Sequence, residues 1–337
     1  MSAVTAAARP ALPDAAAASR RLSGWARKVL RMAVTTATVF LITSFGTYAL
    51  GALSKSNPAA AVLGETATPA DIARMNHQFG LDRPLLVQYA SWLGHAFTGD
   101  LGTSYFTSIP VAGSIRQALP VDLGITGLAA LFAVLIGGTA GIAAALNGGG
   151  RLDRSVTAVC SVLGTIPGFV IGIVLIVIFS ATLRILPAGG YVSLTTDPVQ
   201  WFRCLLMPSF ALSLNLAAGI ARQLRTSLVG TLRENYVVGA TVRGLSRRRV
   251  LLRHALRNAA GPALGILTVG VPLLLSGSVP TERIFNLPGV ALLTLQSAER
   301  HDIPVIQGTL LVTVATVLLC NLVLGALLAR FTPQARR

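Results

Sequence analysis

Six long apolar runs alternate with polar, arginine-bearing stretches along this chain. The runs lie near residues 32–53, 119–146, 155–183, 204–225, 261–281 and 304–330. A bilayer core about 30 Å thick needs about 20 mostly apolar residues per helix, and each run reaches that length. The pattern predicts an all-α integral membrane protein with six spanning helices. The third run, around GFVIGIVLIVIFSATL, is the most continuous, whereas Asn215 and Gln223 dilute the fourth. The fifth contains Pro272 and Gly277, which a membrane helix tolerates when neighbours satisfy the freed backbone groups.

The polar stretches have patterns of their own. The longest, 54–117, extends between the first and second runs. Thr68 followed by Pro69 reads as a helix cap and first turn. Leu81-Asp82-Arg83-Pro84 then makes a turn, and a second amphipathic helix covers about 84–97. Such helices lie on the membrane face or cover a pore mouth; the pattern leaves both open. In 283–303, Phe285-Asn286-Leu287-Pro288-Gly289 reads as a turn with an apolar, lid-like face, followed by a short helix ending at the Asp302–Pro304 break.

The stretch from Glu234 to Pro262 predicts two short helices at a bend. Val237, Ala240, Thr241 and Gly244 share one helical face, and Gly244 turns the chain where other residues meet steric cost. Ser246 is placed to cap a second helix, on which Val250, Leu251, His254 and Asn258 align. The resulting knob fits a groove on a soluble partner. A basic loop lying on anionic lipid has the same composition, and both readings stand at this level.

Composition agrees with a membrane protein. Hydrophobic residues make up 53%, charged residues only 12%, and mean hydropathy is +0.68. A soluble domain carries about twice that charge fraction. The net charge of +16 comes from arginines in loops without interleaved aromatics, which argues for topology and lipid contact rather than nucleic acid. With the N-terminus inside, the inner segments hold six, two, nine and three basic residues and the outer ones four, two and two. This asymmetry predicts an N-in, C-in arrangement and puts the knob in the cytoplasm. Arg20-Arg21 precede the first run as in an export signal, but that run exceeds a signal h-region and no small-x-small cleavage site follows. An uncleaved first helix is expected, preceded by a disordered basic cytoplasmic N-terminus over residues 1–28.

Several chemistries are missing from the pattern. Neither lysine, Lys28 or Lys55, follows a glycine, so no phosphate-binding P-loop can form; HExxH and GxSxG are absent too. The histidines stand singly, and no metal site is expected. Cys160, Cys204 and Cys320 have no paired spacing and read as structural thiols. Carboxylates are nearly missing from the runs, with Asp122 about one turn inside the second. Ion-coupled carriers bury such groups at mid-membrane, so the expected source of drive is another polypeptide and the chain is not expected to be an enzyme.

The segment Glu234-Asn-Tyr-Val-Val-Gly-Ala-Thr-Val-Arg-Gly-Leu-Ser246 resembles the cytoplasmic coupling motif of bacterial ABC-importer permeases. Together with His254-Ala-Leu-Arg-Asn258, it is similar to the first-subunit (B-type) branch of the dipeptide/oligopeptide and nickel permeases. So are Gly80-Leu-Asp-Arg-Pro-Leu85, Gly99-Asp-Leu-Gly-Thr-Ser104, Leu119-Pro120, Ile166-Pro-Gly-Phe169, Leu186-Pro-Ala-Gly189, Thr281-Glu-Arg-Ile-Phe285 with Pro288-Gly289, and Asp302-Ile-Pro-Val-Ile-Gln-Gly308. The resemblance runs from about residue 30 to the C-terminus. Val242-Arg243 stand where the family usually has Ala-Lys or Ala-Arg.

The resemblance implies a type I importer permease domain over 29–337, with an outer segment at 54–117 and a coupling loop at 226–260. It implies that Glu234, Tyr236, Val237, Ala240, Arg243, Gly244, Leu245, Ser246 and His254 couple the chain to an ATPase, Ala240 staying small for close approach and Gly244 taking the bend. Glu282, Phe285, Pro288 and Gly289 are the outer gate candidates. The implied setting is the bacterial inner membrane, with a homologous second permease, two cytoplasmic ATPase subunits that carry ATP and Mg, and an extracytoplasmic solute-binding protein. Peptides are the implied solute; nickel chelates and glutathione are carried by similar permeases. A self-contained secondary carrier is the contrasting reading, marked by inverted repeats and mid-membrane polar clusters, neither of which the sequence displays.

Overall fold

The computed structural model describes residues 15–53 and 57–331. The chain divides into two compact units, residues 1–46 and 47–337. In the first unit the described residues form one helix, the start of α1 (Ala15–Leu53). Residues 15–28, expected to be disordered, continue that helix. Alanines and straight-chain residues lose little freedom in a helix, and no proline interrupts the stretch. Residues 1–14 of that expectation lie outside the described residues.

The second unit is mostly helical among the described residues, with non-helical stretches at 98–110 and 183–197 and one isolated β-bridge, Thr103 to Pro110. The segment between the first two apolar runs contains α2 (Pro58–Leu63), α3 (Pro69–Phe79) and α4 (Leu85–Phe97). Thr68 and Asp71 form a reciprocal capping box, with Pro69 opening the first turn. The predicted turn is closed by Gln88, which donates to the carbonyls of Arg83 (2.7 Å) and Leu81 (3.2 Å). His77 and Asp82 pair across it at 2.7 Å, and this contact holds the Asp82 carboxyl below its usual range.

The membrane helices follow: α5 (Val111–Leu146), α6 (Arg151–Leu163), α7 (Gly168–Leu175) and α8 (Pro198–Leu232). After the short α9 (Asn235–Val242) and α10 (Arg247–Arg249) come α11 (Leu256–Ser276), α12 (Val279–Ile284), α13 (Val290–Arg300) and α14 (Ile303–Phe331). Among the described residues five helices are long and apolar enough to cross a bilayer, and a bent pair of helices makes six if it is counted as one broken span.

That bent pair is the third predicted span, and it is not one straight helix. α6 and α7 meet at 98°, and α7 ends in a π-helical stretch, Ile176–Thr182. Pro167 supplies the cause, because the residue before a proline is pushed out of helical geometry. The break exposes the Gly164 carbonyl, to which the Asn215 amide donates at 3.1 Å. Asn215, an apparent defect in the fourth run, therefore satisfies the break in the third. The fourth span runs well beyond 204–225 at both ends. Asp197 starts it by accepting from the amides of Val199 and Gln200, with Pro198 in the first turn.

α5 and α8 form the spine of the second unit. A Cβ on Gly137 would stand 2.5 Å from the Ala217 carbonyl oxygen, and one on Gly141 would stand 2.8 Å from that of Ala221. Small residues four apart let the two backbones touch, the packing that membrane helices use where apolar burial gives no driving force. Leu216, Ile220, Leu224 and Leu228 then fill the seam toward Ala259, Ala263 and Leu267 of α11. At one end of the spine Arg225 grips Asp153 of α6 through Nε (2.9 Å) and a terminal nitrogen (2.6 Å), while the Gly149 amide donates to the same carboxylate.

Candidate functional site

The predicted elbow follows α8 directly. Glu234 takes the N-cap backbone position of α9, and its carbonyl accepts from the amides of Val237 and Val238; its side chain makes no capping bond. The helix ends in a Schellman closure. Gly244 N–H donates to the Thr241 carbonyl (3.0 Å) and Leu245 N–H to that of Ala240 (3.3 Å), with Gly244 at φ +81°. The predicted bend at Gly244 is thus present with its expected cause.

The face predicted for coupling divides in two. Val237 and Ala240 are buried and, with Val250, Leu232 and Leu245, form a small core inside the elbow. The close approach that keeps Ala240 small is to its own chain. Tyr236, Val238 and Val242 point outward, Val242 with 81% of its surface exposed, beside exposed Arg243 and Arg247–Arg249. Asn258 donates to the Tyr236 hydroxyl at 2.7 Å and ties the elbow to α11.

The second arm differs from expectation. Ser246 occupies the N-cap position of α10, but its hydroxyl makes no capping bond; its carbonyl accepts from Val250 instead. α10 lasts one turn, and a π-helical stretch, Val250–Ala255, carrying half-buried His254, leads into α11. This wider winding buries Val250 and Ala255 together, where regular winding turns successive residues by a fixed 100°.

At the opposite end lies a latch. Glu282 is fully buried on α12, with Ser278 donating to Oε1 (2.5 Å) and the Leu292 amide to Oε2 (2.8 Å). Asp122, buried in α5, accepts from the Val290 amide at 2.6 Å. Two carboxyl groups from different helices thus cap the first turn of α13, whose positive dipole end attracts them. Gly289 sits at the joint: a Cβ there would lie 2.3 Å from Glu282 Oε2.

The Phe285–Gly289 turn is not an open lid. Phe285 and Leu287 are buried among Val121, Ile125, Leu205 and Met207, and only Asn286 and Pro288 stay exposed. Their apolar side chains gain more in that core than at a wet pore mouth. Asp122 was missed as a partner of this turn. α5 begins at Val111, eleven residues before Asp122, so the helix starts well ahead of the apolar run at 119–146. A lone buried carboxylate in an apolar run was the available signal.

Comparison with known proteins places these features in a lineage. Residues 137–337 match the model of the binding-protein-dependent transport system inner membrane component, and residues 26–126 match that of the N-terminal part of the same membrane components. The chain is 32% identical over 308 residues to the probable peptide ABC transporter permease protein y4tP of Sinorhizobium fredii, covering 91% of this chain and 98% of that one. It is 34% identical to the dipeptide transport system permease protein DppB of Lactococcus lactis, over 80% of this chain and 86% of the relative. It is 31% identical to the metal-staphylopine import system permease protein CntB of Staphylococcus aureus, over 88% and 94%. Among solved structures, a chain of the inward-facing MetNI methionine ABC transporter superposes with a TM-score of 0.52 at 15% identity, covering 65% of this chain and 96% of that one, a likeness of fold. The sequence matches span nearly the whole polypeptide, and the chain belongs to the family of binding-protein-dependent transport system inner membrane components, the multi-pass permeases of ABC importers.

Proposed function

We propose that this chain forms half of the pore of an ATP-driven importer of short peptides. A homologous permease forms the other half. Two cytoplasmic ATPase subunits, which carry the ATP and Mg, each receive one elbow, and an extracytoplasmic binding protein delivers the solute. The observation that carries this reading is the elbow: a self-contained bend whose interior is sealed by Val237, Ala240 and Val250 and whose outer face presents Tyr236, Val238 and Val242. A loop lying on lipid has no need of an internal core or a Schellman closure. The exposed apolar side chains ringed by arginines fit a groove with an apolar floor and acidic rim on a soluble partner.

In this mechanism ATP-driven closure of the ATPases draws the elbows together, and each elbow moves the end of α8. The two arrangements of the pore are then biased by nucleotide at one end and solute at the other, as linkage requires. Glu234, Tyr236, Arg243, Leu245, Ser246 and His254 shape or flank the docking face. Glu282, Phe285, Pro288 and Gly289 hold the outer latch in register with α5.

Peptides are the solute class best supported, since relatives that carry peptide or dipeptide in their names match over most of the chain. A metal-chelate solute is the second reading, favoured by the similarity to the metal-staphylopine permease. The test is reconstitution with the companion permease, ATPases and binding protein. ATP-dependent accumulation of a labelled peptide is expected, with none from this chain alone. Uphill transport by the isolated chain would overturn the reading.

A further inference from the structure

Among the described residues Arg222 of α8 has no acidic partner, although nearby Arg225 is paired with Asp153. The Arg222 side chain leans toward the start of α8, as helical side chains do. Its two terminal nitrogens thereby reach the corner between α6 and α7, 3.6 and 3.7 Å from where a Cβ on Gly164 would stand. Asn215 comes to the same corner from further up α8 and donates to the Gly164 carbonyl at 3.1 Å. Arg222, Asn215 and Thr165 are all exposed.

The corner is deep. Arg151 and Arg154 set the start of α6 at a membrane surface, and Gly164 closes the helix after 13 residues. At a rise of 1.5 Å per residue the corner lies about 20 Å along the helix, well inside a core about 30 Å thick. A guanidinium and a carboxamide at that depth face the bundle interior or water, not hydrocarbon. The backbone leads to the same place. Residues 164–167 are non-helical, and irregular backbone at membrane depth is tolerated only where it is buried in protein or lines a water-filled cavity. Thr165 and Pro167 are exposed, so burial within this chain does not account for it.

We propose that this corner and the Asn215–Arg222 face of α8 line the solute passage, and that Arg222 sets its charge preference. The existence of a passage rests on the importer reading above. An arginine without a counter-charge, set between low-dielectric walls, attracts negative solute groups and repels positive ones. Solutes of net negative charge therefore cross this stretch more readily than net cations of the same size. The binding protein chooses what is delivered, and Arg222 adds a second filter inside the membrane.

The test is ATP-driven uptake by the reconstituted complex of three peptides of one length: alanyl-glutamyl-alanine, trialanine and alanyl-lysyl-alanine. The binding protein acts equally on wild type and variants, so a change in their ratio reports the passage. Arg222→Gln is expected to lower uptake of the glutamyl peptide relative to the lysyl one about tenfold, the size of effect that unit charges about 10 Å apart exert at an effective dielectric constant of about 20. Arg222→Lys is expected to keep the wild-type ratio. An unchanged ratio in Arg222→Gln overturns the proposal, and an equal loss of all three peptides would assign Arg222 to a contact with the companion permease instead. Thr165→Cys keeps the question open to measurement if Arg222→Gln fails to assemble. In the assembled complex this cysteine is expected to react with a charged methanethiosulfonate faster than the thiols of the unmodified chain, since a thiolate forms in water and not in lipid. Labelling no faster than that background overturns the water-lined corner. Uptake of none of the three peptides by the wild-type complex refutes the importer reading, and the labelling of Thr165→Cys still decides the corner.

Discussion

Gly289→Ala tests the outer latch most directly. The added methyl would stand 2.3 Å from Oε2, 2.4 Å from Cδ and 2.9 Å from Oε1 of Glu282, so the carboxylate must move. It cannot move freely, because it is fully buried and held by the Ser278 hydroxyl and the Leu292 amide. Displacing it sacrifices two hydrogen bonds to a charged group, each contributing about 1.5–3 kcal/mol, and the expected destabilisation is about 3–6 kcal/mol. Reversible unfolding of the purified chain in mixed micelles measures it. A double-mutant cycle sharpens the test: once Glu282→Ala has removed the carboxylate, Gly289→Ala is expected to cost less than about 1 kcal/mol more. If the two changes add independently, the cause assigned to the glycine is wrong.

Gly244→Asp meets no neighbour within 4 Å of its Cβ, so its strain is purely that of a left-handed backbone, about 1–2 kcal/mol. Insertion is expected to persist while peptide uptake and ATP hydrolysis separate in the reconstituted complex; normal coupled uptake would refute the role of the bend. Val237→Asp is expected to collapse the elbow's interior, while Val242→Asp, at an exposed site, is expected to leave the fold intact and reduce ATPase co-purification. Equal effects of the two would contradict the division into an inner and an outer face. Arg225→Leu removes both guanidinium bonds to Asp153, and a lowered midpoint is expected in thermal unfolding at neutral pH. An unchanged midpoint would show that the pair contributes little.

Hydrophobic runs made the helix count legible because a bilayer tolerates few alternatives to a spanning helix. Caps were legible where the chemistry is local, as at Thr68-Pro69 and Gly244. The 98° break was hidden because the length of an apolar run does not register a change of direction within it. Asn215 looked like dilution because its partner, the Gly164 carbonyl, lies 51 positions earlier. The latch needed still longer reach: Asp122 meets Val290 across 168 positions. At the elbow, helical periodicity grouped Val237 with Ala240 correctly but could not say whether that face looked inward or outward. Burial answered it: Val237 and Ala240 face inward, and Tyr236, Val238 and Val242 face outward.

The touching backbones of α5 and α8 have a mechanical consequence. Where Ala217 and Ala221 carbonyls rest on Gly137 and Gly141, no side chain lies between the helices to act as a cushion. Sliding along that line has no compliant material to deform, so the pair travels as a single beam. A displacement of the elbow end of α8 is therefore expected to carry α5, and Asp122 with it. The give in this permease is then expected at its other joints, of which the right-angled corner at Pro167 is the most prominent.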